Sequence, residues 1–468
     1  MGFRRAQCNL GWCYEAGKGV EQSWEKAVFW YRKAADQSYS RAQCNLGWCH
    51  ERGKGVEQDY NEAFRLYTLA AGDDYPPALC NLGVCYEMGW GCEMDKAKAV
   101  ECYTKGAEAG DDVAQCNLGY CYEAGIGVAE DKAKAIHWYT KAAEQGNLRA
   151  QTNLGYCYEA GIGVAEDKVK AVEWYRKAAE RGYPRAQTNL GYCYEAGIGV
   201  EKDMTEAIHW YTEAAKQGYP RAQTNLAYCY DEGLGVPVDK ETAVHWYMQA
   251  VEQDYPRAQC NLGYLYEMGE GVSKDLKEAA RLYTLAADHG DSVAQCNIAW
   301  FYRNGDGVEK DLAKAFAYFK KAADQGNVRG LYNVGMCYAD GEGVHKDRVE
   351  AVKWFQKAAA HGHAGALFKL GEYCELGLGG MAQSAEKALD YYRRAAEKGD
   401  KKAQEAVKRL EQKGITVTTA SGAAQTAGKP EAVAEAVPES PAKEEKSEEK
   451  PAGEPKKKGG FFGKLFGK

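Results

Sequence analysis

Cysteine, histidine and carboxylate side chains are the groups in this chain that could bind a metal, attack a substrate or form disulfides. The chain has 17 cysteines and eight histidines. No Cys-x-x-Cys pair occurs, and His361 and His363 share a turn without a third ligand, so the spacing of a zinc site is missing. No Walker loop, Gly-x-Ser-x-Gly elbow or His-Glu-x-x-His motif is present. We therefore expect no catalytic residue, no metal, no cofactor and no enzymatic activity.

The cysteines recur at two fixed positions rather than in pairs. One position holds Cys13, Cys49, Cys85, Cys121, Cys157, Cys193, Cys229 and Cys337, and the other holds Cys8, Cys44, Cys80, Cys116, Cys260 and Cys296. Other units carry Leu265, Phe301 and Tyr373 at the first position and Thr152, Thr188, Thr224, Tyr332 and Phe368 at the second. A cysteine that alternates with such residues packs like a small apolar side chain. This pattern predicts reduced thiols that are buried or half-buried.

These positions belong to a 36-residue internal repeat. An alanine opens each unit, at Ala6, Ala42, Ala78, Ala114, Ala150, Ala186, Ala222, Ala258 and Ala294, and Gly330 and Ala366 continue the series. One extra residue near Gly380 shifts the last motif to Ala403. Because the Asn-Leu-Gly core of the motif is then lost, we predict a capping helix that covers the apolar end of the array.

Each repeat unit predicts two amphipathic helices, here called helix A and helix B. In one unit Ala150, Leu154 and Tyr158 form one face of helix A, and Thr152, Tyr156 and Glu159 are expected on the opposite side. Helix B shows a full apolar stripe at Ala171, Trp174, Tyr175, Ala178 and Ala179. Asp167 is a helix N-cap and Gly161 and Gly163 form the turn between the helices. The prediction is an all-α, α/α solenoid superhelix of about eleven 36-residue helix-turn-helix repeats plus a C-terminal capping helix, spanning residues 1–412.

The unit A-x-x-N-L-G-x-x-Y-x-x-G-x-G-V-x-x-D-x-x-x-A-x-x-W-Y-x-K-A-A-x-x-G resembles the Sel1-like repeat, a relative of the tetratricopeptide repeat. The resemblance implies adaptor or scaffold roles in assembling protein complexes, with helix A lining the concave surface. Some members are secreted, cysteine-rich bacterial proteins proposed to bind β-lactam-like ligands and stapled at the end of helix B. Here those ends read Ala-Ala, as at Ala178 and Ala179, so that subgroup is a poor match.

Two columns of residues on helix A are candidates for partner binding. The aromatic column comprises Trp12, Trp48, Tyr120, Tyr156, Tyr192, Tyr228, Tyr264 and Trp300, and rings of this kind are favoured at binding surfaces. The alternative is that the rings pack between neighbouring A helices. The asparagine column, with Asn117, Asn153, Asn189, Asn225 and Asn261 as the predicted partner-binding members, could hold a peptide backbone. The alternative is a hydrogen bond between repeats that sets the superhelical angle.

Acidic residues recur near the end of helix A, and arginines recur near its start. These charges are most simply interpreted as a solvated surface with lateral ion pairs. The acidic positions are Glu15, Glu51, Glu87, Glu123, Glu159, Glu195, Asp231 and Glu267, and the basic ones are Arg5, Arg41, Arg149, Arg185, Arg221, Arg257 and Arg329. A groove with one acidic and one basic margin is the alternative.

Charge and hydropathy limit the classes of partner and the cellular compartment that we expect. With 67 acidic and 60 basic residues, the net charge of −7 predicts no nucleic-acid binding. There is no apolar stretch of 18 residues and no signal core at the N-terminus, so we expect a cytoplasmic protein. Residues 413–458 read as a disordered linker rich in Ala, Pro, Glu and Lys. Residues 459–468 form a Phe/Lys-rich motif that could weakly contact a membrane surface or a partner.

The leading hypothesis is a protein–protein interaction scaffold that binds peptide or protein partners on the helix A surface. The alternatives are a small-ligand or enzyme-like protein resembling the β-lactam-binding subgroup, or a host-directed effector.

Overall fold

The computed structural model describes residues 2–416, which form 23 α-helices and no strand. The odd-numbered helices up to α21 are helices A: α1 (Gly2–Ala16), α3 (Ser40–Arg52), α5 (Pro76–Met88), α7 (Asp112–Ala124), α9 (Leu148–Ala160), α11 (Pro184–Ala196), α13 (Pro220–Glu232), α15 (Pro256–Met268), α17 (Ser292–Asn304), α19 (Val328–Asp340) and α21 (Ala364–Leu376). The even-numbered helices are helices B: α2 (Trp24–Ala35), α4 (Tyr60–Ala71), α6 (Lys96–Glu108), α8 (Lys132–Glu144), α10 (Lys168–Ala179), α12 (Met204–Lys216), α14 (Lys240–Val251), α16 (Leu276–Asp288), α18 (Leu312–Asp324), α20 (Arg348–Ala360) and α22 (Ala385–Glu397). The last helix is α23 (Lys401–Gln412).

The described residues group into two compact units, 2–139 and 140–416, with their boundary inside α8. Within each unit a helix A packs on the helix B of its own repeat and on the helix B that precedes it. At the end of the second unit α23 packs on α22 and buries Ala403, Ala406 and Leu410. The predicted all-α solenoid of eleven helix pairs with a capping helix is confirmed.

The helix boundaries follow from local chemistry. The Asp167 side chain accepts a hydrogen bond of 3.0 Å from the backbone N–H of Lys170, which confirms the predicted N-cap of α10. Gly161 and Gly163 both have a φ of 68°, a left-handed conformation that glycine adopts without steric cost. Pro184 occupies the first turn of α11, where a missing N–H removes no hydrogen bond.

The core is built from tyrosine rings of helix B that lie against small residues of helix A. Ala150, Leu154, Ala178 and Ala179 are buried, as their spacing predicts. A largely continuous series of helix B tyrosines is fully buried: Tyr31, Tyr67, Tyr103, Tyr139, Tyr175, Tyr211, Tyr247 and Tyr283. The rings approach helix A closely enough that side chains other than glycine fit poorly opposite most of them.

The prediction that Thr152, Tyr156 and Glu159 lie away from the core is wrong for Thr152. Thr152 is fully buried, and its hydroxyl donates to the Leu148 carbonyl at 2.8 Å. Helix A contacts two helices B, so its buried surface is wider than the single face that periodicity indicates. Tyr156 and Glu159, by contrast, keep part of their surface exposed.

The cysteines lie in the interior, as predicted. Fourteen of the 17 are buried and three are partly buried. Burial raises the pKa of Cys49 and of Cys229 to about 12, so these thiols stay protonated at neutral pH. Along residues 2–416 no helix is long and apolar enough to cross a membrane. Most of the predicted linker and the whole Phe/Lys motif lie outside the described residues.

Candidate functional site

The aromatic column of helix A is neither sealed in the core nor fully exposed. Trp12 in the first unit is 39% exposed and Tyr264 in the second is 47% exposed. The other predicted members are partly buried, namely Trp48, Tyr120, Tyr156, Tyr192, Tyr228 and Trp300. Each ring therefore combines packing against its neighbours with a surface that remains open to solvent.

In the first unit the asparagine column links each repeat to the one before it. The amide Nδ2 of Asn45 lies 4.0 Å from the sulfur of Cys8, and the amides of Asn81 and Asn117 donate at 3.5 Å to the sulfurs of Cys44 and Cys80. Because sulfur is a weak acceptor, these bonds orient the asparagine side chains and contribute little to the stability of the fold.

In the second unit Asn297 keeps the bond to a cysteine sulfur, with its Nδ2 3.9 Å from the sulfur of Cys260, whereas three other asparagines of the column bond to different partners. Arg185 Nη1 donates to Asn153 Oδ1 at 3.1 Å, and Arg221 Nη1 donates to Asn189 Oδ1 at 3.3 Å. Asn261 donates through Nδ2 to the Tyr247 hydroxyl at 3.2 Å. These contacts form the inter-repeat bonds that sequence reasoning gave as the alternative for this column. Contact with a bound peptide stays a prediction.

The acidic column is not the solvated surface that its charges suggest, and that interpretation is wrong for most of its members. The buried tyrosines of helix B donate their hydroxyl hydrogens to these carboxylates, at 2.7 Å from Tyr175 to Glu159 and 2.6 Å from Tyr211 to Glu195. The same bond joins Tyr31 to Glu15, Tyr67 to Glu51, Tyr103 to Glu87, Tyr139 to Glu123, Tyr283 to Glu267 and Tyr392 to Glu375. A buried hydroxyl needs an acceptor, and the acidic column supplies it.

Sequence reasoning missed this tyrosine–carboxylate pairing, although the repeat carries a signal for it. The two columns change together: where helix B has Phe319 instead of tyrosine, helix A ends with Arg303, and where it has Phe355, helix A has Ala339. The helix B residue, 16 positions after the acid and 17 in the last repeat, has a hydroxyl only in repeats that carry the acid.

The repeat at residues 220–255 breaks the pattern without losing its tyrosine. Asp231 takes the place of glutamate and is bonded by Lys240 Nζ at 2.6 Å, while the same Nζ lies 2.7 Å from Glu270. Tyr247 instead accepts the amide of Asn261. The side chain of Asp231 is one methylene shorter than glutamate, which moves its carboxylate away from the ring of helix B.

Arg221, in the same repeat, is a buried charge with incomplete hydrogen bonding. Its side chain is 4% exposed, and its Nη2 has no hydrogen-bond partner within residues 2–416. Burial raises the pKa of the Glu159 carboxyl, while the Tyr175 hydroxyl and the positive charge of Arg221 oppose that shift. Arg221 thus has a nearby charge but no acceptor for one of its nitrogens.

The site residues offer donors, rings and charge, but not the ligand set of a metal. In the part of the chain that the structure describes, no group of three or more His, Cys, Asp or Glu side chains converges to hold an ion. His363 instead caps α21, where its Nδ1 accepts the N–H of Ala366 at 3.2 Å. The ring of His363 also stacks on Tyr332.

Comparison with known proteins places the chain in a family. The Sel1 repeat model matches eleven successive segments, 4–39, 40–74, 76–111, 112–147, 148–183, 184–219, 220–255, 256–291, 292–327, 328–363 and 364–400. A protective antigen of uropathogenic Escherichia coli strains that displays an SLR fold is 36% identical, with a TM-score of 0.65, over 88% of each chain. A Sel1 repeat protein from Oxalobacter formigenes is 32% identical over 65% of this chain and 89% of its own, with a TM-score of 0.47.

No curated protein matches the chain. The family model covers nearly all of residues 4–400 and the helices alternate as its repeat requires. The chain therefore belongs to the Sel1 repeat family, whose solenoid fold is commonly used for protein–protein interaction and is generally a non-enzymatic scaffold.

Proposed function

We propose that this chain is an interaction scaffold that binds peptide or protein segments along the aromatic column of helix A. The observation that carries the proposal is the partial exposure of these rings at successive repeats, including Tyr156, Tyr192, Tyr228 and Tyr264 in the second unit. Tyrosine and tryptophan bury a large area at low entropic cost and keep a polar edge, which suits them to contact a partner. The proposed scaffold has no catalytic role and needs no cofactor.

The polar neighbours of the rings support the same function. Asn189 and Tyr192 are three residues apart on α11, and Asn225 and Tyr228 have the same spacing on α13, so each ring stands beside an amide. Asn117, Asn153 and Asn189 are buried, whereas Asn225 and Asn261 keep part of their surface exposed, so an extended segment would meet both a ring and an amide at α13 and α15.

A triple variant tests this proposal. Tyr156→Ala, Tyr192→Ala and Tyr228→Ala together should reduce the set of proteins captured from a lysate of the source cells, quantified by mass spectrometry. The matched control is Glu173→Ala, His209→Ala and His245→Ala, because these side chains are exposed on helices B of the same unit. Circular dichroism should show the same helix content for both variants.

Two outcomes would contradict the proposal. One is capture of the same proteins in the same amounts by wild type and by the triple variant. The other is hydrolysis or tight binding of a β-lactam by the purified protein that the triple variant leaves unchanged, which would favour the small-ligand alternative.

We further propose a cytoplasmic location, in which the buried thiols stay reduced, and an accessory contact by the Phe/Lys-rich residues 459–468. A chain that ends at Gly414 should then lose binding to vesicles of anionic phospholipid while its helix A partners are still captured. Equal vesicle binding by the full and the shortened chain would exclude the membrane contact.

A further inference from the structure

Two neighbouring side chains of α13 each hold a buried nitrogen donor without an acceptor. Nη2 of Arg221 and Nδ2 of Asn225 are both covered, and neither has a hydrogen-bond partner within the described residues. The two residues are four positions apart on one helix, so their side chains lie next to each other on the same face. The structure thus leaves two covered donors unsatisfied on one face of one helix A.

The position of Arg221 is fixed by its other nitrogen. Nη1 donates to Asn189 Oδ1 of the preceding repeat at 3.3 Å, which anchors the guanidinium between α11 and α13. A buried donor without an acceptor destabilises a protein, and the cost is greater for a charged group. An acceptor from outside the chain would remove this cost, and the charge of Arg221 distinguishes this pair from the neutral side chains, such as Gln259, that also lack a partner.

Three carboxylates of the neighbouring acidic column are engaged elsewhere. Glu159 accepts the Tyr175 hydroxyl, Glu195 accepts the Tyr211 hydroxyl, and Asp231 is bonded by Lys240. The acceptor that Arg221 lacks is therefore not supplied by the acidic column next to it. A positive guanidinium beside an amide favours an anionic acceptor with two oxygens, since charge-assisted and bidentate hydrogen bonds are the strong ones.

We propose that Arg221, Asn225 and Asn189 form a carboxylate-binding subsite, which rests on the proposed peptide-binding function of the same surface. Arg221 Nη2 and Asn225 Nδ2 donate to the two oxygens of a carboxylate, either the C-terminus of a bound peptide or an Asp or Glu side chain. The partly exposed rings of Tyr192 and Tyr228 flank the subsite and contact the residues next to that carboxylate. Because Nη2 is covered in the unliganded chain, a neighbouring side chain turns aside when the carboxylate enters.

Binding of three pools of fluorescein-labelled nine-residue peptides to the full chain, followed by fluorescence anisotropy, tests the subsite. The first pool has a free C-terminus and no acidic residue, the second is amidated with one central Glu, and the third is amidated without any acidic residue. We expect the first or the second pool to bind about tenfold more tightly than the third. The better of the two identifies which carboxylate the subsite takes.

Arg221→Met is the first variant, because it keeps an unbranched side chain and removes the charge. It should abolish the preference for the carboxylate pools, a loss of about tenfold, while the third pool binds as before. The matched control is Arg185→Met, which alters the same position one repeat earlier and removes the bond to Asn153. This control should change the preference by less than about threefold.

Asn225→Ala keeps the test decisive if Arg221→Met fails to fold, and it should weaken the preferred pool by about fivefold. Equal binding of all three pools by wild type, or a preference that survives both variants, would overturn the subsite and leave the proposed scaffold function standing. Binding of no pool, together with unchanged protein capture by the triple tyrosine variant, would overturn the scaffold function itself.

Discussion

Two successive repeats of the second unit, residues 184–219 and 220–255, differ at 15 of 36 positions and bond their buried tyrosines differently. In the first repeat Tyr211 donates to Glu195. In the second, Tyr247 accepts from Asn261 and the acid at the equivalent position, Asp231, pairs with Lys240. The comparison shows that one helix-pair geometry tolerates two hydrogen-bond patterns around the same ring.

One of the differences lies directly opposite the ring. A Cβ atom at Gly191 would lie 2.7 Å from the Tyr211 ring, closer than a carbon–carbon contact allows. The next repeat has Ala227 at this position, so the Tyr247 ring must lie farther from helix A there. The change of acid from Glu to Asp accompanies that shift. The repeat with the alanine also carries the unsatisfied donors of Arg221 and Asn225, so the irregular packing and the candidate subsite coincide.

The largest expected effect comes from forcing the first repeat to resemble the second. Gly191→Ala should lower the free energy of unfolding by about 1–3 kcal/mol, because the new methyl group displaces the Tyr211 ring and strains its bond to Glu195. The midpoint of urea unfolding measures this change. A higher midpoint, as helix propensity alone predicts for Gly→Ala, would show that the ring contact does not control the packing.

Removing the tyrosine hydroxyl should destabilise the two repeats by different amounts. Tyr211→Phe leaves the Glu195 carboxylate without its donor and should cost about 1–3 kcal/mol of unfolding free energy. Tyr247→Phe should cost less than about 1 kcal/mol, since Asp231 keeps its bond to Lys240 and only the Asn261 amide loses an acceptor. Thermal midpoints of the two variants test the ranking, and equal losses would contradict it.

The pH dependence of stability should depend on Glu159, the half-buried acid at the equivalent position one repeat earlier. Burial raises the pKa of the Glu159 carboxyl above its usual 4.5, so the folded chain binds this proton more tightly than the unfolded chain. Its contribution to stability is complete below the unfolded pKa and is lost as the pH rises through the folded pKa. The stability of wild type relative to Glu159→Gln should therefore fall from pH 4.5 towards pH 7. Thermal midpoints across this range measure it, and a difference that grows with pH would reverse the sign.

The smallest expected effect comes from giving Asn225 the sulfur acceptor that Asn81 has in the first unit and Asn297 has in the second. Thr188 lies 37 residues before Asn225, the spacing that places Cys44 beside Asn81. Thr188→Cys should give the Asn225 amide a sulfur acceptor and raise the stability by at most about 0.5 kcal/mol, since sulfur accepts weakly. The same variant should weaken carboxylate binding, which the peptide pools detect. No change in either quantity would show that the Asn225 amide does not respond to this position.

Periodicity alone predicts much of this molecule, and its failures have one cause. The 36-residue repeat, the Asp N-caps and the glycine turns predict each helix because they act through neighbours within one or two turns. The buried Thr152, the bonded acids and the covered Arg221 were not predicted, because each depends on contacts with a residue of another helix. The sequence predicted which residues form the columns of helix A, but not the groups to which they hydrogen-bond.

The sequence by itself determined the all-α repeat, the packing role of the cysteines and the positions of the partly exposed rings, since these follow from the period of apolar residues. Only the tertiary structure decided which polar groups are satisfied. That outcome depends on distances between repeats, such as the approach of Tyr211 to Gly191 and of Arg221 to Asn189, and a difference of one methyl or methylene group changes it.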